Sequence, residues 1–270
     1  LLQIPFAGVD WLNPKLIPKS LMVANATGHE IAMSEYIIGC IMSLSIDLLA
    51  NHNDFKSGSW EKTGTLSDPK SMHGEVFGKN LGIIGYGQIG IETAIRAKSL
   101  GMKIYGLNRT QKKNTPKYLD WHGSSDDLDF ILKESDFIVL ACDLNESTKG
   151  LINKRTLSMM KKTSYLINVA RGDICVEEDL FKSLKNNNIA GAAIDTWWIY
   201  PDRPKEGGQP EKAPRPSDYP FHKLDNVIMT PHNSAHTLES DLRRSKSILH
   251  NLLDFKKGKK PSGFVFYGNK

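Results

Sequence analysis

Short apolar runs alternate with helical patterns through residues 75–232 of this chain. The predicted strands are Leu81–Ile84, Lys103–Leu107, Phe137–Ala141, Ser164–Asn168, Ala190–Ile194 and Asn226–Met229. The predicted helices between them are Ile91–Leu100, Ser125–Glu134, Asn153–Met160 and Val176–Lys185. Strands that alternate with helices predict an α/β fold in which a parallel sheet, here of six strands, is doubly wound by helices.

The segments that flank this alternation follow different patterns. From Gly28 to Leu49 apolar residues cover most of a helix surface, which predicts a long helix buried in a core or a subunit interface. An amphipathic helix is predicted from Leu238 to about Lys256, and Phe264–Tyr267 follows as a short strand. Residues 201–220 are rich in proline, glycine and charge, which predicts a long loop: either a functional lid or a surface excursion.

A glycine pattern lies between the first predicted strand and the first predicted helix. The candidate cofactor-binding residues of this segment are Gly85, Gly87, Gln88, Ile89 and Gly90. In a strand–turn–helix context, the first glycine permits a tight turn, the second admits a pyrophosphate, and the third lets the helix pack closely. The helix N-terminus adds unpaired N–H groups for the anion. The pattern predicts a dinucleotide-binding Rossmann sheet, and the alternative is a glycine-rich turn without a ligand.

The end of the second predicted strand bears on the cofactor. A carboxylate usually stands there in NAD sites, where it binds the ribose 2′-hydroxyl, but this chain has Asn108 followed by Arg109. A guanidinium binds a phosphate bidentately, and Lys112 and Lys113 add positive charge. These residues favour NADP, while NAD binding with Arg109 as a solvated loop residue stays open.

Bulk composition narrows the class of protein. The formal net charge of +5 is mild, and the terminal lysine cluster lacks the aromatic residues or motif of a nucleic-acid site. No apolar run is long enough to span a membrane, and the first residues lack a secretory signal. The three cysteines, Cys40, Cys142 and Cys175, are too widely spaced to predict a metal site or a disulfide framework. We therefore expect a cytoplasmic protein with no metal, nucleic-acid or membrane partner.

Two further segments carry candidate chemistry, each at the end of a predicted strand. Arg171 follows one strand and His232 follows the last, so both are expected at the sheet edge that the glycine segment occupies. Hydride transfer to a 2-keto acid needs a guanidinium for the carboxylate and carbonyl oxygens, and a group titrating near neutrality for the hydroxyl proton. The structural alternatives are an ion pair of Arg171 with Asp173 and a turn histidine bonded to backbone.

At this point the chain resembles the D-isomer-specific 2-hydroxyacid dehydrogenases, the family of phosphoglycerate, glycerate and formate dehydrogenases. The resemblance rests on FAGVD at residues 6–10, SEY around Glu35, GKNLGIIGYGQIG at 78–90, the segment 149–180 with NVARGD, GAAIDTWW at 191–198 and LDNVIMTPH at 224–232. It covers nearly the whole chain in the family's order.

The resemblance implies a role for each matching residue. Arg171 would bind the substrate carboxylate and ketone, His232 would be the acid/base, and the backbone of Ala7 and Gly8 would hold the carboxylate. Asp195 would bind the nicotinamide carboxamide, and Ala170 would also line the cofactor site. The resemblance also implies a homodimer that forms through the helix after Gly28. We expect a dinucleotide-binding domain over 27–235 and a smaller, N-terminally shortened α/β substrate domain from 1–26 and 236–270.

Two departures from the family pattern matter. Most members place a glutamate followed by proline beside the histidine, and here the position is Tyr200. Tyrosine adds no negative charge at neutral pH, so we expect a less basic His232 unless Glu206, Glu211 or Asp218 compensates. The second departure is the segment before FAGVD, which is longer in the family, so the chain is either a portion of a longer one or carries a minimal substrate domain.

Because of these departures, two other functions remain open. Formate dehydrogenases carry a neutral residue at the position of Tyr200, and Trp197 also resembles them. A dinucleotide-binding regulatory protein that has lost turnover would also tolerate Tyr200. The presence of both Arg171 and His232 argues against that second function, because neither residue is needed merely to bind a dinucleotide.

Overall fold

The computed structural model describes residues 1–63, 72–111, 115–202 and 214–270, which divide into two compact units. The smaller unit comprises Leu1–Ser34 and Ser234–Lys270, and the larger unit comprises Glu35–Asn233. The described strands are β1 Leu2–Gln3, β2 Met22–Ala24, β3 Asn80–Ile84, β4 Lys103–Leu107, β5 Trp121–Gly123, β6 Phe137–Leu140, β7 Tyr165–Asn168, β8 Gly191–Ile194, β9 Val227–Met229 and β10 Phe264–Tyr267. The described α-helices are α1 Glu30–Ile46, α2 Leu48–Lys56, α3 Gln88–Ser99, α4 Leu128–Glu134, α5 Lys154–Leu157, α6 Glu177–Lys185 and α7 Leu238–Lys256.

The larger unit is built on a parallel sheet of seven strands in the order β5-β4-β3-β6-β7-β8-β9. The order runs outward in both directions from the β3–β6 pair, which is the arrangement of a doubly wound Rossmann sheet. Its central strands β3, β6, β7 and β8 are buried on both faces, and each contains a residue with no exposed surface: Ile83, Ile138, Leu166 and Ala192. The predicted fold class is confirmed.

The predicted count of six strands was wrong. The additional strand, β5, has three residues and carries a histidine at its centre, so it is too short and too polar to show an apolar pattern. It pairs with β4 through Tyr105 and Trp121, and it extends the sheet beyond β4, the strand that Asn108 follows.

The predicted helix from Gly28 to Leu49 is two helices. Asp47 takes left-handed backbone angles, φ 55 and ψ 42, which end α1 and start α2. Aspartate tolerates this conformation better than most residues because its short side chain bonds locally. Among the described residues no single helix is long and apolar enough to cross a membrane; α1 and α2, bent by 57°, meet the length and composition criteria only as a pair.

The smaller unit has a three-stranded sheet with β2 at its centre. β1 pairs with β2 in parallel, and β10 pairs with it antiparallel. Ile4, Ile17 and Val23 form its small core. The predicted helix over 238–256 and the strand over 264–267 lie in this unit. Most of the predicted loop 201–220 lies outside the described residues.

Candidate active site at the carboxyl edge of the sheet

The register of the parallel sheet brings the candidate segments to one edge. The last residues of successive strands are paired in the order Ile84, Leu140, Asn168, Ile194 and Met229. The glycine segment, the arginine turn, the aspartate and the histidine each follow one of these strand ends. Ligands of open α/β sheets bind outside this edge, so the register confirms the shared location expected from the sequence.

The three glycines of the first segment occupy three different environments. Gly85 has φ +97 and leaves no room for a Cβ, which would lie 2.5 Å from the Cys142 nitrogen. A Cβ on Gly90 would lie 3.1 Å from Ile83, so this glycine lets α3 pack closely on β3. Gly87 caps α3 and faces open space, with nothing within 4 Å of the Cβ position.

That open space suits a pyrophosphate. The first N–H groups of a helix have no intrahelical partner, and at α3 they belong to Gln88, Ile89 and the residues beside them. The helix dipole also favours an anion at this end. The described residues therefore fit the phosphates of a dinucleotide, with the second glycine at the point of close approach.

Asn108, at the end of β4, is held by hydrogen bonds on both sides of its amide. The buried His122 lies 2.8 Å away, Nε2 to Oδ1, and the Asn108 amide donates to the Tyr86 carbonyl at 3.3 Å. Arg109 is exposed and its side chain has no hydrogen-bond partner among the described residues. Lys112 and Lys113 lie outside the described residues. The edge of β4 thus presents a neutral amide and an exposed guanidinium.

The arginine turn is clamped by Asn168, the fully buried last residue of β7. Its Oδ1 accepts the Ala170 N–H at 3.1 Å, and its amide donates to the Arg171 carbonyl at 2.9 Å. The Arg171 guanidinium donates to the Ala170 carbonyl at 2.7 Å. Asp173, the ion-pair partner considered for Arg171, lies 3.8 Å from Lys149. The turn therefore holds Arg171 at the edge by its own backbone.

His232 lies beside Tyr200. The two side chains are 2.8 Å apart, Oη to Nδ1, and the Tyr200 oxygen accepts the Trp197 N–H at 3.1 Å. His232 has φ 57, a left-handed conformation that is uncommon outside glycine, although histidine adopts it more often than most residues, and that clusters at functional sites. When the imidazole is neutral, this contact fits two tautomers: the Tyr200 hydroxyl donates to Nδ1 with the ring proton on Nε2, or it accepts from an N–H at Nδ1.

The surroundings make His232 a weaker base than usual. Desolvation of the ring lowers its pKa, the Asp195 carboxylate acts in the opposite direction, and the Arg171 guanidinium lowers the pKa further. Asp195 thus supplies the negative charge near the imidazole, while Tyr200 supplies none.

Asp195 is fully buried just beyond β8. Its Oδ1 accepts the Thr230 hydroxyl at 2.6 Å and the Asn233 N–H at 2.9 Å. The indole N–H of Trp197 donates to the Thr230 carbonyl at 2.8 Å. These bonds tie the end of β8 to the end of β9, and they anchor Thr230 and Asn233, which lie on either side of His232 in the chain, near the Asp195 carboxylate.

Other candidate residues lie apart from this group or outside the described residues. Asp218 is exposed and bound through its backbone N–H to Glu177 at 2.9 Å, while Glu206 and Glu211 lie outside the described residues. Ala7 and Gly8 belong to the smaller unit, where the Ala7 carbonyl accepts the Asn25 amide at 2.8 Å. Their role stays a prediction.

The larger unit also matches a known protein family. The family model described as "D-isomer specific 2-hydroxyacid dehydrogenase, NAD binding domain" matches residues 38–234. The chain belongs to this dehydrogenase family. The resemblance found in the sequence is confirmed. The matched region contains the parallel sheet, and it corresponds to the family's NAD-binding domain.

The chain is also similar to individual proteins of known sequence or structure. Glyoxylate reductase from Pyrococcus furiosus is 33% identical over 87% of this chain, and the chain spans 65% of that protein's length. D-3-phosphoglycerate dehydrogenase from Bacillus subtilis is 32% identical over 93% of this chain, which spans 44% of its length. The structure of the acyclic imino acid reductase Bsp5 in complex with NADPH and D-Arg shares 26% identity with a TM-score of 0.81, covering 98% of this chain and 78% of the other.

Several residues of the edge were not anticipated as site residues. Thr230 was noted only as part of the segment before His232, and Asn233 and Tyr36 were not considered. A hydroxyl and a backbone N–H have no spacing signature that points to a particular carboxylate. Their role depends on the sheet order, which brings β9 beside β8.

Proposed function

We propose that this dehydrogenase-family chain transfers a hydride between a nicotinamide dinucleotide and a small 2-keto or 2-hydroxy acid. The observation that carries the proposal is the location of Arg171 and the Asp195–His232 group on the same sheet edge as the Gly85–Gly90 segment. That edge combines a dinucleotide cradle with a guanidinium and a titrating imidazole. The relation to glyoxylate reductases favours short 2-keto acids as substrates.

Arg171 binds and polarises the substrate in this proposal. A planar guanidinium accommodates a carboxylate oxygen and a carbonyl oxygen together, and it stabilises negative charge as it develops on the carbonyl oxygen. The Asn168 clamp and the Ala170 carbonyl restrict the arginine, so little reorganisation is needed when the substrate binds. The bound nicotinamide supplies the hydride for substrate C2.

His232 gives the proton to the carbonyl oxygen during reduction and takes it back during oxidation. Reduction requires the imidazolium, with its transferable proton on Nε2, and Asp195 stabilises that charged form. The backbone of Ala7 and Gly8 is proposed to bind the substrate carboxylate. The predicted domain boundaries and the homodimer stay predictions.

The direct test is oxidation of NADPH and NADH with a panel of 2-keto acids: glyoxylate, hydroxypyruvate, pyruvate, phenylpyruvate and longer chains. Turnover with at least one of them is expected. Turnover of formate with NADP⁺ or NAD⁺ and no keto-acid reduction would favour the formate-dehydrogenase alternative that the neutral Tyr200 raises. Cofactor binding by calorimetry without any turnover would favour a regulatory dinucleotide-binding protein.

We propose NADP as the preferred cofactor, because Asn108 leaves no carboxylate to repel a 2′-phosphate and Arg109 is exposed beside it. Replacing Arg109 with glutamine is expected to raise KM for NADPH by about 10–100-fold, since a charge-assisted hydrogen bond contributes about 1.5–3 kcal/mol. KM for NADH is expected to stay within about twofold, because NADH has no 2′-phosphate to lose that contact. Steady-state kinetics with both cofactors measures the effect.

Lys103 offers the matched control. It is an exposed cation at the start of β4, so it lies at the opposite edge of the sheet from Arg109. Lys103→Gln removes the same charge and should leave both KM values unchanged. Equal losses of NADPH affinity in the two variants would contradict a direct contact between Arg109 and the 2′-phosphate, and would point to a general effect of net charge.

A further inference from the structure

Tyr36 belongs to α1 and is hydrogen-bonded to the proposed catalytic group. Its hydroxyl lies 2.6 Å from the Thr230 hydroxyl, which donates to Asp195 Oδ1 at 2.6 Å. A carboxylate oxygen only accepts, so the Thr230 hydrogen points to Asp195. Thr230 has no second hydrogen, and the Tyr36 hydroxyl must therefore donate to Thr230. The three groups form a chain with one direction, from α1 to the carboxylate.

The first member of the chain stays protonated. Burial raises the pKa of the Tyr36 hydroxyl far above its ordinary value, so it remains a donor throughout the working pH range. Cys40, one helical turn later, interacts with the Tyr36 hydroxyl, and burial raises its pKa to about 11. Because both groups stay neutral at physiological pH, neither adds a competing negative charge beside Asp195.

We propose that Tyr36 is a positioning residue: through Thr230 it holds the Asp195 carboxylate in the orientation from which its charge acts on His232. This role rests on the proposed function in one respect: the effect of Asp195 on the imidazole matters for catalysis only if His232 is the acid/base. Tyr36 does not touch the imidazole and acts only through the chain.

Breaking the chain should change the charge that acts on His232 in one direction. Among the described residues, the charged and titratable groups acting on His232 are Asp195, Arg171 and the neighbouring Tyr200, and of these Asp195 favours the imidazolium. Without the hydrogen bond that orients it, the Asp195 carboxylate can turn away from the imidazole. Less negative charge then acts on the ring, so the pKa of His232 should fall.

The test is an NMR titration of the His232 ring in the full chain, with its resonance assigned by comparison with His232→Gln. Tyr36→Phe removes the first donor, and Thr230→Val removes the hydroxyl that contacts Asp195. Opposite charges a few ångströms apart shift pKa values by about 1–3 units, so we expect the pKa of His232 to drop by roughly half a unit in Tyr36→Phe and about one unit in Thr230→Val. Thr230→Ser retains the hydroxyl and should restore the wild-type value.

Tyr165→Phe is the matched control. Tyr165 is the first residue of β7, so its hydroxyl is removed at the opposite edge of the sheet, and the pKa of His232 should not move. Should Thr230→Val fail to fold, the conservative Tyr36→Phe variant still decides the question. An unchanged pKa of His232 in Tyr36→Phe, or a loss in Thr230→Ser equal to that in Thr230→Val, would overturn the proposal.

Kinetics gives the second measurement. Since reduction uses the imidazolium, kcat for keto-acid reduction at pH 7 should fall by about threefold in Tyr36→Phe and by about tenfold in Thr230→Val, the factors that correspond to half a unit and one unit of pKa. KM for the cofactor should stay unchanged. The titration needs no substrate, so it decides the role of Tyr36 even if the chain turns over no keto acid. An absence of turnover would contradict only the proposed function.

Discussion

Arg171→Ala is expected to lower kcat/KM for keto-acid reduction by about 10²–10⁴-fold. The guanidinium is proposed to make at least two charge-assisted contacts with the substrate, each contributing about 1.5–3 kcal/mol, and tenfold in rate corresponds to about 1.4 kcal/mol. Cofactor affinity should change little, because the dinucleotide phosphates are expected at the N-terminus of α3. Initial-rate kinetics with glyoxylate, together with calorimetry of NADPH binding, measures both quantities.

Two further variants separate a substrate contact from a general effect of charge. Arg171→Lys keeps the charge and loses the planar fork, so it should recover only a small part of the activity. Arg155→Ala removes an exposed arginine that pairs with Asp129 at 3.0 Å, and it should behave as wild type. An Arg171→Ala variant that retains wild-type kcat/KM would remove the central residue of the proposal.

Tyr200→Glu is expected to move the basic limb of the pH–rate profile for reduction upward by about 1–3 pH units. A carboxylate beside His232 stabilises the imidazolium and raises the pKa of the ring, and reduction is lost only when the pH rises through that pKa. At pH 8 the variant should therefore reduce keto acids about tenfold or more faster than wild type. Oxidation uses the neutral ring, so its acidic limb should move upward as well and the reverse reaction should slow at neutral pH.

Tyr200→Gln is the matched control for this substitution. Glutamine has the size of glutamate without its charge, so both limbs should stay near their wild-type positions. A shift of equal size in the glutamine variant would assign the effect to side-chain shape. An unmoved basic limb in Tyr200→Glu would show that the charge at this position does not set the basicity of His232.

The sequence was sufficient to predict the sheet edge and the location of the glycine segment, Arg171 and His232 on it. Gly85, Gly87 and Gly90 occupy the three environments that their spacing predicts: a left-handed turn, an open surface and a tight helix contact. Arg171 and His232 follow predicted strands, and parallel strands bring their carboxyl ends to one edge whatever their order. Local pattern and a general rule of α/β folds were therefore enough for these positions.

The hydrogen bonds that connect the site residues depend on which strands are neighbours in the sheet. The Thr230–Asp195 bond exists because β9 lies beside β8, and the Tyr36 bond exists because α1 passes the end of β9. No periodicity in the chain encodes those neighbours. The break at Asp47 was missed for a different reason: a single left-handed residue leaves the apolar pattern on both sides unchanged.

Asp195 also shows why the departure at residue 200 could not be interpreted from the sequence alone. The absence of a glutamate suggested compensation from the neighbouring acidic loop. Among the described residues, the carboxylate that acts on His232 is Asp195, which the family resemblance had assigned to the cofactor. A buried carboxylate held by two donors can serve both the imidazole and a bound nicotinamide, because its two oxygens offer about four acceptor positions.

The most direct test of hydride transfer uses NADPH deuterated at both C4 positions of the nicotinamide, with glyoxylate as substrate. The product is analysed by mass spectrometry. The proposal predicts glycolate that carries one deuterium on C2, formed by the wild-type chain and at a rate at least about a hundredfold lower by Arg171→Ala. Glycolate without deuterium, or no product from a chain that binds NADPH by calorimetry, would contradict the proposal that this sheet edge is a 2-keto acid reductase site.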